Sequence, residues 1–482
     1  MEQYHSHSPP TFPKIPRFFV TFSEESMRRV VITGVGAISP HGIGPTPFWN
    51  ALLDGKSSIS PLTRFDPSAF AARVAGVVPP FKTTDFVPRS YRKSTKIMAR
   101  DIELAVVAAD FAVRDAKLIT KGTAEGAQEA DLTAKGWFRP NPARMGCNIG
   151  AGLICSDLNE LTEAMAEARN ADNTFNFAAW GRSEDPAKTS GMEKLTPLWL
   201  LKYLPNMLSC HVSIIHDTQG PSNTITCGQA SAGLALAEAT RTIQRGQSDV
   251  ALVGGCESKV HVVALMRWSL FHRLNGTSND NPAAACRPYD KHAAGSVLAE
   301  GGAVLVIEEY EHARKRGAAI YAEVAGIGSS ANASASPIDP DSTGEALAAA
   351  IKKALKDAAV TPAQIDLIIP PGYGDPIWDH TDLAALKIAF GTPPVILPVR
   401  AGIGDCGAGA QALDLVAAAL ALREQTLPPA INCDQPLDTL ILPRQKSPQP
   451  LTHILIFASA LGGQNSAIIL KKIPSADPST NL

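Results

Sequence analysis

The feature that most constrains this chain is that it repeats itself. Val31-Ile32-Thr33-Gly34-Val35-Gly36-Ala37-Ile38-Ser39 resembles Glu323-Val324-Ala325-Gly326-Ile327-Gly328-Ser329-Ser330. Asp249-Val250-Ala251-Leu252-Val253-Gly254-Gly255 resembles His453 to Gly463, again a buried apolar strand running into a glycine pair. Two echoes in the same order imply a duplicated unit, turning from one copy to the next between about residues 285 and 320.

Within each copy, short β-branched runs alternate with alanine-rich helical stretches, which predicts an α/β fold. Residues 28–36 read as a strand ending in glycine, and 97–117 as a helix with Ile97, Asp101, Leu104, Ala108, Phe111 and Ala112 on one mostly apolar face. Ser222 to Thr226 reads as a strand, Ala230 to Arg245 as a helix, and Val250 to Val253 as a buried strand. Ser342-Thr343-Gly344-Glu345 has the pattern of a capping box, opening a helix with Leu347, Ile351 and Leu355 together. Leu367-Ile368-Ile369 is a further strand.

With 482 residues and a net charge of −2, the chain carries no electrostatic footprint for nucleic acid or an anionic membrane. No apolar run approaches the ~18 residues of a membrane span. Residues 1–26 hold Pro9, Pro10, Pro13 and Pro16, with neither the charged start and long apolar stretch of a signal peptide nor an Arg-rich transit pattern. Residues 1–27 are therefore expected to be a disordered extension or an upstream misassigned start, and 473–482 a tail. The eight cysteines form no C-x-x-C pair. They read as reduced, largely buried thiols of a cytoplasmic protein, with no metal site and no cofactor expected. Two stretches, 119–143 and 168–192, lack sustained periodicity and read as inserted loops, solvated or partner-facing.

Gly34-x-Gly36 after a strand invites a dinucleotide reading, but position 39 is Ser and no acidic residue follows where one is needed. Close packing at the strand explains the glycines better. The sharper motif is Gly220-Pro221-Ser222-Asn223-Thr224-Ile225-Thr226-Cys227-Gly228-Gln229-Ala230-Ser231-Ala232-Gly233. A strand turning abruptly into a helix presents one side chain at the positive helix N-terminus, where a nucleophile is activated. Here that side chain is Gln229, a carboxamide without useful nucleophilicity.

From Arg28 to about Lys472 the chain resembles the type II β-ketoacyl-acyl-carrier-protein synthases. The resemblance rests on Gly220-Pro221-Ser222, Asp249 to Gly255, Cys286-Arg287-Pro288-Tyr289-Asp290-Lys291, Glu308 to Gly317, and Gly462-Gly463-Gln464-Asn465. It implies a thiolase-like αβαβα five-layer fold of two duplicated halves, 28–285 and 286–472. It also implies a chemistry that needs a cysteine, two histidines and a lysine. Position by position, the cysteine is Gln229, the first histidine Pro371, the lysine Arg400 and the second histidine Asp405. Replacement from nearby is not expected. Cys227 would share the face of Gln229 but lie deeper, and His380 would be a solvated residue at a helix start. The resemblance further implies that Arg400 forms a structural ion pair with Asp382, since a guanidinium moves no proton near neutral pH.

Within the family, a subunit with Gln at the elbow and no histidines resembles the chain-length factor. That implies a heterodimer with an active ketosynthase, acyl carrier protein reaching the complex through the partner, and a tunnel bounded by Leu153, Trp199 and Leu461. The indole of Trp199 would limit elongation sterically. Two other readings stand beside this one: an enzyme that condenses or decarboxylates with unusual residues, and an acyl-binding pseudoenzyme that pairs with a second copy of itself.

Overall fold

The structure is a computed structural model and describes residues 27–182, 189–332, 338–392 and 394–474. All but Met27 of the expected extension, and most of the expected tail, lie outside the described residues. Ten strands form the main path of one large sheet. In the first half these are β1 (Val30–Ser39), β2 (Met145–Ala151), β3 (Ser222–Ile225), β4 (Val250–Ser258) and β5 (Glu300–Glu309). In the second they are β6 (Ala322–Ala331), β7 (Leu367–Ile369), β8 (Val395–Ile396), β9 (His453–Ser459) and β10 (Gln464–Lys471).

The duplication is visible in the topology. From the outer edge inward the first half runs β3-β2-β4-β5-β1 and the second β8-β7-β9-β10-β6, so each unit reads third, second, fourth, fifth, first. In both, the outer three strands are parallel and the inner two antiparallel. The halves meet where Val31 and Ile32 of β1 pair with Glu323 and Ala322 of β6.

The helices form the remaining layers. α1 (Arg100–Asp115) covers the outer face of the first half and α3 (Glu345–Asp357) that of the second, with α4 (Pro376–Phe390) beside α3. α2 (Ser231–Gln244) and α5 (Ala410–Glu424) pack on each other between the halves. The sequence of α5 explains its place: Ala410 to Leu422 is buried without a break, as a helix apolar nearly all round must be. Its two polar exceptions, Gln411 and Asp414, therefore need partners inside the protein. The five-layer αβαβα expectation holds. No helix among the described residues is long and apolar enough to cross a membrane.

Gly34 and Gly36 serve packing. A methyl group on Gly36 would meet the carbonyl oxygen of Ala108 in α1 at 2.0 Å, and one on Gly34 the carbonyl of Ala112 at 2.4 Å. The echo repeats the device, with Gly328 and Gly326 set against the Ala350 and Ala354 carbonyls of α3 at 1.9 and 2.3 Å.

Three expectations change. The division at 285/286 falls before β5, which pairs with β1 and β4 and completes the first unit; the topological turn lies between Glu309 and Ala322. The capping box does not form. α3 is preceded by Gly344 at φ +69°, and Thr343 Oγ1 instead accepts from the backbone N–H of Glu345 at 3.2 Å. The segments 119–143 and 168–192 each hold a short helix, Glu129–Ala134 and Phe177–Gly181, while 183–188 lie outside the described residues. The apolar face read for α3 is confirmed, with Leu347, Ile351 and Leu355 all buried.

Candidate functional site

The elbow forms where β3 ends and α2 begins. Gly228, at φ +51°, takes the left-handed turn that a side chain would resist. Ser231 fastens the bend: its Oγ accepts from the Cys227 N–H at 2.8 Å and donates to the Gly228 carbonyl at 2.6 Å. Gln229 is thereby pointed inward and is 3 % exposed.

Its carboxamide does not face an empty site. Gln229 Nε2 donates to Asp405 Oδ2 at 3.0 Å, and Lys259 Nζ donates to the same oxygen at 2.6 Å. Asp405 Oδ1 accepts from the Gly407 N–H at 3.0 Å, in the turn that opens α5. The Lys259 ammonium also lies 4.4 Å from the centroid of the Trp268 ring, where the indole face favours a cation. Lys259 and Asp405 are both buried. Burial would raise the Asp405 carboxyl, yet Lys259, Arg400 and the Gln229 amide hold it below the usual carboxylate range.

Arg400 occupies a short turn, Val399–Gly402, and is wholly buried. The expected pair with Asp382 is not what forms. Arg400 Nη2 donates to Asp414 Oδ2 of α5 at 3.1 Å, and Nη1 lies 3.9 Å from Asp405 Oδ1. The guanidinium carbon sits 5.0 Å from the Tyr373 ring centroid. Asp382 instead accepts the Tyr289 hydroxyl at 2.9 Å. Burial pushes its carboxyl up to about 7, although that hydrogen bond and the charge of Arg400 pull the other way. The physical reason is the α5 interior: Asp414 is the buried acid on the enclosed stretch Ala410 to Leu422 and takes the cation that approaches it.

Pro371 is buried just after β7 and offers no donor. Two residues on, Tyr373 stacks against Arg400 and donates its hydroxyl to the Ser459 carbonyl at 2.6 Å. Cys227 is half-buried and so more open than Gln229, the reverse of the depth expected, and burial raises its thiol. An unactivated thiol is a poor nucleophile. His380 is exposed on α4, as expected of a solvated residue. All eight cysteines are free.

Gln229, Arg400 and Asp405 thus come together, and Lys259 completes the group. Lys259 was missed from sequence; its one signal is a lysine directly after the buried strand β4. The four side chains form one hydrogen-bonded and charge-paired group around the elbow. The side chain at the bend is a carboxamide rather than a thiol, and the carboxylate it meets is already bonded to Lys259. What the groups do is satisfy one another.

The expected tunnel residues are scattered. Leu153 is 59 % exposed, Trp199 is half-buried with its ring 5.5 Å from that of Tyr203, and Leu461 is half-buried. A cavity of about 510 Å³ lies between the ends of β2 and β4 and the start of α1, lined among others by Ile154, Cys155, Leu158, Tyr203, Val260 and His261. Leu153, Trp199 and Leu461 do not line it, although Ile154 and Tyr203 adjoin the first two in sequence or by stacking.

The N-terminal domain of the beta-ketoacyl synthases matches residues 27–313 and their C-terminal domain residues 321–434. A 3-oxoacyl-[acyl-carrier-protein] synthase 2 of Coxiella burnetii is 30 % identical over 453 residues, covering 92 % of this chain and 99 % of its own. Among solved structures, the ishigamide ketosynthase/chain length factor superposes with a TM-score of 0.75 at 28 % identity, covering 93 % of this chain and all of its own. A type II polyketide synthase acyl-carrier protein in complex with its ketosynthase gives a TM-score of 0.75 at 26 % identity, with 93 % of this chain and all of that one covered. With its duplicated topology, its elbow and these matches over nearly its whole described length, the chain belongs to the beta-ketoacyl synthase family.

Proposed function

We propose that this chain is a non-condensing member of the family, which pairs with an active ketosynthase and helps set the length of the chain that the partner builds. The observation that carries the reading is the engagement of Gln229 by Asp405, which Lys259 neutralises: the place of the acyl-accepting thiol is spent on a structural hydrogen bond.

The surface supports a partner. β3 is the edge strand of the first half, with Ser222 and Asn223 exposed, and an exposed sheet edge is a ready template for another strand. Leu153, Leu198, Leu200 and Ile214, on segments that flank the first-half sheet, are exposed apolar side chains of the kind that a partner covers. A ketosynthase/chain length factor among the similar structures is consistent with that pairing. Trp199 bears on length because its indole packs on Tyr203, whose ring lines the 510 Å³ cavity.

The test is co-expression with a ketosynthase that keeps the cysteine and both histidines. The pair is expected to co-purify one to one by native mass, and to condense malonyl-carrier protein when neither this chain alone nor an unpaired mixture does so. Trp199→Gly is expected to lengthen the products. Turnover-rate acyl transfer to the isolated chain, or a stable self-pair that ignores the ketosynthase, rejects the proposal.

A further inference from the structure

Lys259 has no part in the family chemistry, yet it enters the group around the elbow. Its Nζ is held by Asp405 Oδ2 at 2.6 Å and by the face of Trp268, while its Cε lies 2.6 Å from where a methyl group on Gly407 would stand. The lysine stem therefore runs between Trp268 and the start of α5, directly beside the inward-facing side chain of the elbow. On one side the lining is apolar, Val260, Ala264, Leu265, Leu298 and Trp268 forming one small cluster, and on the other stands the buried carboxylate of Glu257, which accepts from the Ala408 N–H at 2.6 Å. Such an apolar side, next to the residue in the nucleophile's place, is what an alkyl chain would need. Here a charged side chain crosses it instead. The cavity of about 510 Å³ is lined by none of Gln229, Lys259 and Asp405.

We infer that Lys259 and Asp405 act together as a plug, which makes this subunit refuse acyl chains at its own elbow. The inference rests on the reading of the chain as a non-condensing subunit and deepens it, because a silent subunit that still bound acyl groups would draw them away from its partner. The physical basis is mutual dependence. Lys259 stays buried because Asp405 binds it directly and the Glu257 carboxylate lies beside its stem, and Asp405 stays ionised because Lys259 and Arg400 face it. Neither residue alone would close the site: a lone buried charge of either sign would draw in water or titrate.

The test uses the isolated full-length chain and decanoyl-pantetheine as probe, with binding read by titration calorimetry and native mass. The wild type is expected to bind no probe at millimolar concentration. Lys259→Ala with Asp405→Asn removes the stem and the unpaired charge together, and is expected to bind the probe at least ten-fold more tightly than the wild type. Lys259→Met with Asp405→Asn removes the charges but keeps the stem's volume, and is expected to stay closed. If the alanine pair does not fold, Lys259→Thr with Asp405→Asn serves in its place, keeping a hydroxyl beside the new amide. Probe binding by the wild type as tight as by the opened variant overturns the inference, as does a folded opened variant that binds none. The partner plays no part in this measurement. A chain that proves closed yet ignores every ketosynthase sinks the proposed function and leaves the plug standing.

Discussion

Arg400 Nη2 lies 3.1 Å from Asp414 Oδ2, and both side chains are wholly enclosed. The pair binds the turn Val399–Gly402 to the middle of α5, between the two halves of the molecule. Among the described residues Arg400 Nε and Nη1 have no hydrogen-bond partner, so the guanidinium is held by charge and by the Tyr373 ring as much as by directed bonds.

Removing one member should cost far more than removing both. Asp414→Leu leaves the guanidinium short of its nearest counter-charge in a dry interior and is expected to destabilise the protein by ~3–5 kcal/mol. Arg400→Met with Asp414→Leu should recover most of that loss. Urea titration of the three proteins checks it; a double variant as unstable as the single would show that the pair is net stabilising beyond its mutual compensation.

Restoring the thiol should not restore the reaction. Gln229→Cys places a nucleophile at the elbow, but it releases the Asp405 hydrogen bond and leaves the thiol facing a carboxylate and an ammonium rather than a free base. Acylation by decanoyl-carrier protein is expected to stay at least 100-fold slower than in an intact ketosynthase, and malonyl-carrier decarboxylation at background. Mass spectrometry of the protein and carbon dioxide release read the two separately. Adding Asp405→His should fail as well, because Lys259 would then lose its carboxylate.

Acid should weaken the first half through Glu300. Its carboxylate is buried, which would raise it, but Arg64 and Arg100 bind it at 2.6 to 3.2 Å and hold it at about 2 against an ordinary value of 4.5. The folded carboxyl is thus the stronger acid, so its contribution is complete above pH ~5 and drains as pH falls toward 2. The depression corresponds to a contribution on the order of 3 kcal/mol. Glu300→Gln should be less stable than the wild type at pH 7, with the gap closing by pH 2–3. Thermal unfolding from pH 7 to pH 3 checks it, and a constant gap would contradict the assignment.

The two glycine echoes should respond alike. Gly36→Ala and Gly328→Ala each push a methyl into a helix carbonyl, at 2.0 and 1.9 Å before relaxation. Each is expected to cost ~1–3 kcal/mol by forcing the strand and helix apart. Matched losses in denaturant titration would confirm that duplication preserved the packing device; a loss in one half only would refute it.

How much of this was legible in the sequence follows from how far apart the cooperating residues lie. The echo of Val31–Ser39 in Glu323–Ser330, the apolar faces of α1 and α3, and the elbow at Gly228-Gln229 are local patterns, carried by residues a few positions apart. They declared the α/β class, the duplication and a sharp elbow carrying Gln229, because strand alternation, helix periodicity and a left-handed glycine act within one element. The capping pattern at Ser342 was local too, yet Gly344 took the cap position, since the chain's path into α3 was set by its packing.

The partners of the buried charges were not legible. Lys259 and Asp405 are 146 positions apart, and Gln229 and Asp405 are 176 apart. The sheet order, with β4 beside β5 and α5 between the halves, brings them together. The same geometry gave Arg400 to Asp414 rather than Asp382, and β5 to the first half rather than the second. By itself the sequence determined which elements form and that a glutamine stands at the elbow. Only the tertiary structure decided which charge meets which, because burial of an ion is tolerated only where the fold delivers its counter-charge.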